Sequence, residues 1–106
     1  MAEIRFSPAA VKDLDQTKTY IVEELGSETS AKKTISDILK RIRTLSDFPK
    51  IGAPLSSVVM IDTDYRFLIC GNYTAFYRVE EDTVYVVRVL YSKRNYMEIL
   101  FGNAER

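Results

Sequence analysis

The apolar positions of this chain follow different rhythms in different stretches, and each rhythm predicts a kind of element. From residue 31 to residue 45 the apolar residues are Ala31, Ile35, Ile38, Leu39, Ile42 and Leu45. That is an unbroken stripe at helical spacing and predicts an amphipathic helix. Ser27 or Thr29 would cap its start, and Pro49 lies just past its end. Upstream, Val11, Leu14, Ile21 and Leu25 recur at helical spacing more sparsely. Ser7-Pro8 marks the start of this first helix. The serine oxygen can accept from a first-turn amide, and proline at the first position gives up no donor the helix needs. Gly26 supplies a left-handed stop. The connection through Leu25–Ser27 is so short that the two helices are expected to form an antiparallel hairpin.

Elsewhere the rhythm is two. Glu3 to Phe6 alternates, with Ile4 and Phe6 on one side, and predicts a short first strand. Tyr65–Cys70, Tyr73–Val79 and Thr83–Tyr91 read as three further strands. Gly71-Asn72 joins the first two of these by a tight turn, and Glu80-Glu81-Asp82 makes an acidic second turn, so the three form an antiparallel meander. Residues 48–64 hold two prolines and a glycine and read as loop, with a possible short strand at Val58–Ile61. Asn95–Phe101 is a tail that would return Ile99, Leu100 or Phe101 to the core. The predicted architecture is α+β, ordered β-α-α-β-β-β, with the helical hairpin on one face of a small antiparallel sheet. The first strand joins that sheet at its edge or its centre by a long crossover. The opposite face, with Phe76, Thr74 and Arg78, is expected to be open.

Composition narrows the class. With 106 residues, 46% apolar and 28% charged, the chain has the make-up of one globular domain spanning residues 1–106. Its one cysteine, Cys70, allows no internal disulfide, and no apolar run approaches a membrane span. The opening residues lack the basic and apolar stretches of a signal peptide, so the expected location is the cytoplasm, with no membrane contact. There is no histidine. That removes the commonest general acid–base group and metal ligand, and Cys70 has no histidine to activate it. No metal site, cofactor or phosphate-cradling glycine loop is expected. Net charge is zero, yet residues 27–50 carry Lys32, Lys33, Lys40, Arg41, Arg43 and Lys50 against Glu28, Asp37 and Asp47. The lysines and arginines of the second helix are read as its wet face.

Two groups of residues remain as candidates for function. Arg66, Arg78 and Arg88 sit inside strands, where β-propensity does not ask for arginine. They are either solvated sheet residues or part of an anion-binding patch. Simple alternation places Arg78 on the open face and Arg88 on the face of Val86 and Leu90. The segment Tyr91-Ser92-Lys93-Arg94-Asn95-Tyr96 sets two cations between two tyrosines just past a strand end. That mixture suits RNA, through phosphate contacts and base stacking, or a protein interface, where tyrosine and arginine act as anchors. A polar turn would also look like this.

Four segments taken in order carry a resemblance: IRFSPAAVKDL at 4–14, FPKIGAPL at 48–55, YRFLICGNYTAFYRV at 65–79 and DTVYVVRVLYSKRNY at 82–96. Together they resemble the RelE/ParE superfamily of bacterial toxins, whose fold is the β-α-α-β-β-β arrangement read above. The resemblance implies the toxin of a type II toxin–antitoxin system, such as those that stabilise plasmids, blocked by a cognate antitoxin protein. It further implies one of two activities. RelE-like members cut mRNA on the ribosome, and ParE-like members inhibit DNA gyrase without cutting RNA. If the chain were a nuclease, Arg66, Arg78, Arg94 and Tyr96 would be its catalytic candidates. The next family position along the strand from Arg66 is Leu68, and the arginine expected after the aromatic of the family pattern is Thr74. Removing one such electrostatic group typically lowers a rate by ~10²–10³. The expectation is therefore the gyrase-inhibiting branch, a binder rather than an enzyme, with Arg88, Tyr91, Lys93, Arg94 and Tyr96 as target contacts. The ribosomal nuclease, with ribosome and mRNA as partners, stands as the alternative, and a member that only binds its antitoxin as a third reading.

Overall fold

The computed structural model describes residues 1–102. Strand β1 (Glu3–Phe6) leads into helix α1 (Pro8–Leu25), and helix α2 (Glu28–Arg43) follows after a two-residue connection. Both helix starts are closed by serine. Ser7 Oγ accepts from the Ala10 amide and Ser27 Oγ from the Ser30 amide. Gly26 ends α1 at φ 66°, a left-handed conformation that residues with a Cβ resist. After α2 come strand β2 (Ala53–Pro54), the meander β3 (Arg66–Cys70), β4 (Tyr73–Glu80) and β5 (Thr83–Tyr91), and a short helix α3 (Tyr96–Phe101). Val58–Ile61 forms no strand. The extra strand is instead Ala53–Pro54, too short and too proline-marked to show in an alternation pattern.

The sheet order is β1-β5-β4-β3-β2. It is mixed rather than wholly antiparallel, because β1 lies parallel to β5 at the edge, Glu3 opposite Thr83 and Phe6 opposite Val86. That pairing resolves the crossover in favour of the edge. The other edge ends in Pro54, which has no amide to offer a further strand.

One irregularity changes which way side chains point. Phe76 pairs with Arg88 but Tyr77 pairs with Val86, so Val87 is an extra residue in β5. Such a bulge reverses the alternation on one side of it. Val84, Val86 and Val89 all join the helix-side core with Ala75 and Tyr77, while Leu90 packs on the other side with Phe76. The shared face expected for Val86, Arg88 and Leu90 does not exist, because it assumed an unbroken strand.

The main core lies between the sheet and the hairpin, where Ile38, Ile42 and Leu45 meet Leu68, Tyr77, Val84 and Val89. The buried side of α1 departs from the expected stripe. Val11 and Leu25 are exposed, and the buried side of α1 is Ala10, Asp13 and Ile21, with Leu14 partly covered. Leu39 is only half-buried, so Ile42 is the sharper test of this core. Ile42→Ala should cost about 2–5 kcal/mol in urea denaturation, the usual range for deleting a buried branched side chain. Leu25→Ala, at a position 64% exposed, should stay within about 0.5 kcal/mol.

The second face of the sheet is covered, contrary to expectation. Leu55, Phe76 and Leu90 form a second core, roofed by Val59, Tyr65, Tyr96, Ile99, Leu100 and Phe101. Phe76 is 2% exposed. The tail does return to the body, as α3, and it does so on this face. Tyr96 packs on Phe76 with ring centroids 5.1 Å apart, and Phe101 stacks on Tyr65 at 5.8 Å.

Candidate functional site

The strand arginines are brought into three separate settings, none of them a shared anion patch. Arg66 alternates with Leu68 and Cys70 and pairs across to Tyr77, on the helix side of the sheet rather than the second face. Its guanidinium donates from Nε to the Gly52 carbonyl and from Nη2 to the Lys50 carbonyl, both at 3.0 Å. The same loop is held from the other side by the Gly52 amide, which donates to the Tyr77 hydroxyl at 3.0 Å. Arg78 stays on the second face, 5.0 Å over the Tyr85 ring and 3.7 Å from a Glu80 carboxylate oxygen.

Arg88 is the most fully engaged. Its Nε and Nη2 donate to the two carboxylate oxygens of Asp13, at 2.7 and 2.8 Å. Asp13 also accepts the Val89 amide at 3.0 Å. β1 ends at Phe6, so the outer half of β5 has no strand neighbour there. The α1 carboxylate takes that neighbour's place, and its hydrogen bonds to Arg88 raise the arginine's pKa further above its ordinary value. Sequence reasoning missed Asp13. An aspartate on the buried side of a helix is a signal only when the strand cation it answers is known.

Thr74 and Leu68, which fill places where the nuclease pattern has cations, are both inside the protein. Thr74 is 6% exposed and shares a 2.8 Å hydrogen bond with Ser92, and Leu68 belongs to the main core. Cys70 is buried, and burial pushes its thiol up to about 11, so it stays protonated and unreactive at neutral pH.

The segment from Tyr91 to Tyr96 divides. Tyr96 turns inward onto Phe76, while Lys93 is exposed. Tyr91 is exposed and meets Tyr73 edge to face at 5.7 Å. Tyr91 and Arg94 line a cleft of about 960 Å³ between the helical hairpin and the β3–β4 turn. Its helical wall includes Tyr20, Ile21 and Leu25 of α1 and Ile38 and Arg41 of α2. Its sheet wall is Ile69 to Tyr73. Burial raises the Tyr73 phenol above its ordinary pKa. Tyr20, Leu25 and Tyr91 are large apolar or aromatic side chains left exposed. Gathered round one concavity, they make a surface suited to a macromolecular partner. Among the described residues there is no cluster of three histidine, cysteine or carboxylate groups placed to hold a metal ion, and no helix is long and apolar enough to cross a membrane.

Comparison with known proteins bears on the fold and the family. No curated protein matches the chain. In structure the chain is similar to one from the chromosomal ParDE TA system of P. aeruginosa, with TM-score 0.74 and 23% identity over 88% of this chain and 98% of that one. It is more distantly similar to YafQ from E. coli strain BL21(DE3), with TM-score 0.46 and 16% identity over 96% of this chain and all of that one. Residues 4–96 match the family described as the ParE toxin of type II toxin–antitoxin system, parDE. That match spans nearly every element described above, and the chain belongs to the ParE toxin family of type II toxin–antitoxin systems.

Proposed function

We propose that this toxin acts in the bacterial cytoplasm by binding and inhibiting DNA gyrase, and that a cognate antitoxin neutralises it. The observation that carries this reading is the roof over the second sheet face. An RNA-cutting site there would need an open floor, a group to activate the 2′-hydroxyl and cations to stabilise the phosphorane. Here α3 and the 55–65 loop lie over Phe76 and Leu90. Arg66 is spent on backbone carbonyls, Arg88 on Asp13, and the chain has no histidine. An ordinary tyrosine, with a pKa of about 10, is a poor base near neutral pH. Of the five residues read as target contacts, Tyr91, Lys93 and Arg94 are exposed to meet a partner. Arg88 and Tyr96 would act by holding that segment in place.

The expected result is that the purified chain blocks supercoiling by gyrase or traps cleaved DNA, and leaves mRNA on programmed ribosomes intact. Arg94→Ala should relieve toxicity while the circular dichroism spectrum and melting stay as in the wild type. Ribosomal cleavage that is abolished by changing Arg66 or Arg94 would replace this reading with the nuclease.

A further inference from the structure

The turn that carries Tyr91, Lys93 and Arg94 is exposed, yet it is tied down from beneath. Thr74 sits in β4 opposite Leu90, on the second face of the sheet. Ser92 lies two residues past Leu90, where the strand alternation returns to that face. The hydroxyls of Thr74 and Ser92 share a 2.8 Å hydrogen bond. The Ser92 amide donates to the Asn72 carbonyl in the β3–β4 turn at 2.9 Å. Beyond it, the Arg94 amide donates to the Tyr91 carbonyl and the Tyr96 amide to the Arg94 carbonyl, both at 2.9 Å. Tyr96 closes the far end by packing on Phe76. Lys93 and Arg94 stand exposed between these ties.

The Thr74 hydroxyl is the informative tie. Thr74 is 6% exposed, so its oxygen has little water to turn to and depends on Ser92. Ser92 is itself exposed, and its hydroxyl has water as an alternative. A valine would suit the same strand position with no polar atom to satisfy. The hydroxyl therefore adds little to the strand. What it adds is a condition on the turn, which cannot leave β4 without stranding a buried oxygen.

We propose that Thr74 is a positioning residue for gyrase inhibition, latching the 91–96 turn through Ser92 so that Tyr91, Lys93 and Arg94 meet the target already ordered. The inference rests on the gyrase reading above and adds the device that prepares its contact surface. A loop ordered before it binds gives up less conformational freedom on binding.

The test compares wild type, Thr74→Val and Thr74→Ser in two measurements, the concentration that half-inhibits gyrase supercoiling and amide hydrogen exchange. Thr74→Val removes the hydroxyl and leaves Ser92 to water, so exchange in α2 and β4 should stay as in the wild type. The Ser92 and Arg94 amides should exchange at least ~3-fold faster, and half-inhibition should need ~3–10-fold more protein. Thr74→Ser keeps the hydroxyl and should inhibit within about twofold of wild type. A Thr74→Val protein that inhibits as the wild type does, or whose turn amides exchange no faster, would overturn the inference and leave the gyrase reading intact. Weaker inhibition with faster exchange throughout the core would also overturn it, since that pattern marks general destabilisation. Failure of the wild type to inhibit gyrase would remove both.

Discussion

Replacing Gly52 with alanine should destabilise the fold by about 2–5 kcal/mol, combining overpacking with a lost buried hydrogen bond. An added Cβ would stand 2.5 Å from the Phe67 carbonyl oxygen, 2.6 Å from the Tyr77 hydroxyl and 2.9 Å from the Tyr77 ring. The first obstacle is strand backbone. The other two belong to a ring that is fully buried in the main core, so none of the three can step aside cheaply. The same shift would break the hydrogen bond from the Gly52 amide to Tyr77 and pull on the two carbonyls that Arg66 grips. Tyr77→Phe is the companion variant. It keeps the ring and removes only the hydroxyl, leaving the buried Gly52 amide without its partner, at a cost of about 1–3 kcal/mol. Urea denaturation with an unchanged slope reads both. Wild-type stability for Gly52→Ala would mean that the 48–52 loop does not lie against β3 as described.

The Asp13–Arg88 pair should give the second large effect. Removing either partner is expected to cost about 2–4 kcal/mol, somewhat under the usual figure for a fully buried ion pair because the Arg88 side chain remains 26% exposed. Arg88→Ala should be the more damaging of the two. It strands a carboxylate that is 5% exposed, whereas the guanidinium left behind by Asp13→Ala can turn toward water. Asp13→Asn should fall between wild type and Asp13→Ala, since its side-chain carbonyl can still accept the Val89 amide. A double-mutant cycle isolates the pair itself. Additive losses would show that the two residues act independently and that the bidentate contact contributes nothing.

Much of this architecture could be read from residue order, and the failures have identifiable physical causes. The α2 stripe, the Ser7-Pro8 start, the Gly26 stop and the Gly71-Asn72 turn each rest on local chemistry, and each appears where expected. The bulge at Val87 leaves no mark in a run of valines, so every face assignment past it in β5 was unreliable. β2 is two residues long, below the length at which alternation means anything. The roof over Phe76 depends on residues from 55, 65 and 96–101 meeting over one sheet face, a long-range fact that no local window contains. For the candidate site, tyrosine and arginine in the 91–96 segment pointed to the right place. The cleft itself needs Leu25, which looks like an ordinary core residue until the packing leaves it outside.

The parallel pairing of β1 with β5 also dictates an order of assembly. Ser7 Oγ donates to the Val87 carbonyl across 80 positions of chain, and among the described residues β1 has no hydrogen-bonded strand neighbour other than β5. At ordinary synthesis rates those 80 residues take about 4–16 s to make. Through that interval the first strand has nothing to pair with. The α1–α2 hairpin can form early from local contacts, and the β3–β4–β5 meander closes through tight turns, but β1 cannot pair until β5 is made, and its capture requires a long loop closure. A nascent chain of this toxin therefore stays incomplete until β5 is made. Asp13, on α1, likewise has neither Arg88 nor the Val89 amide to meet until that strand exists.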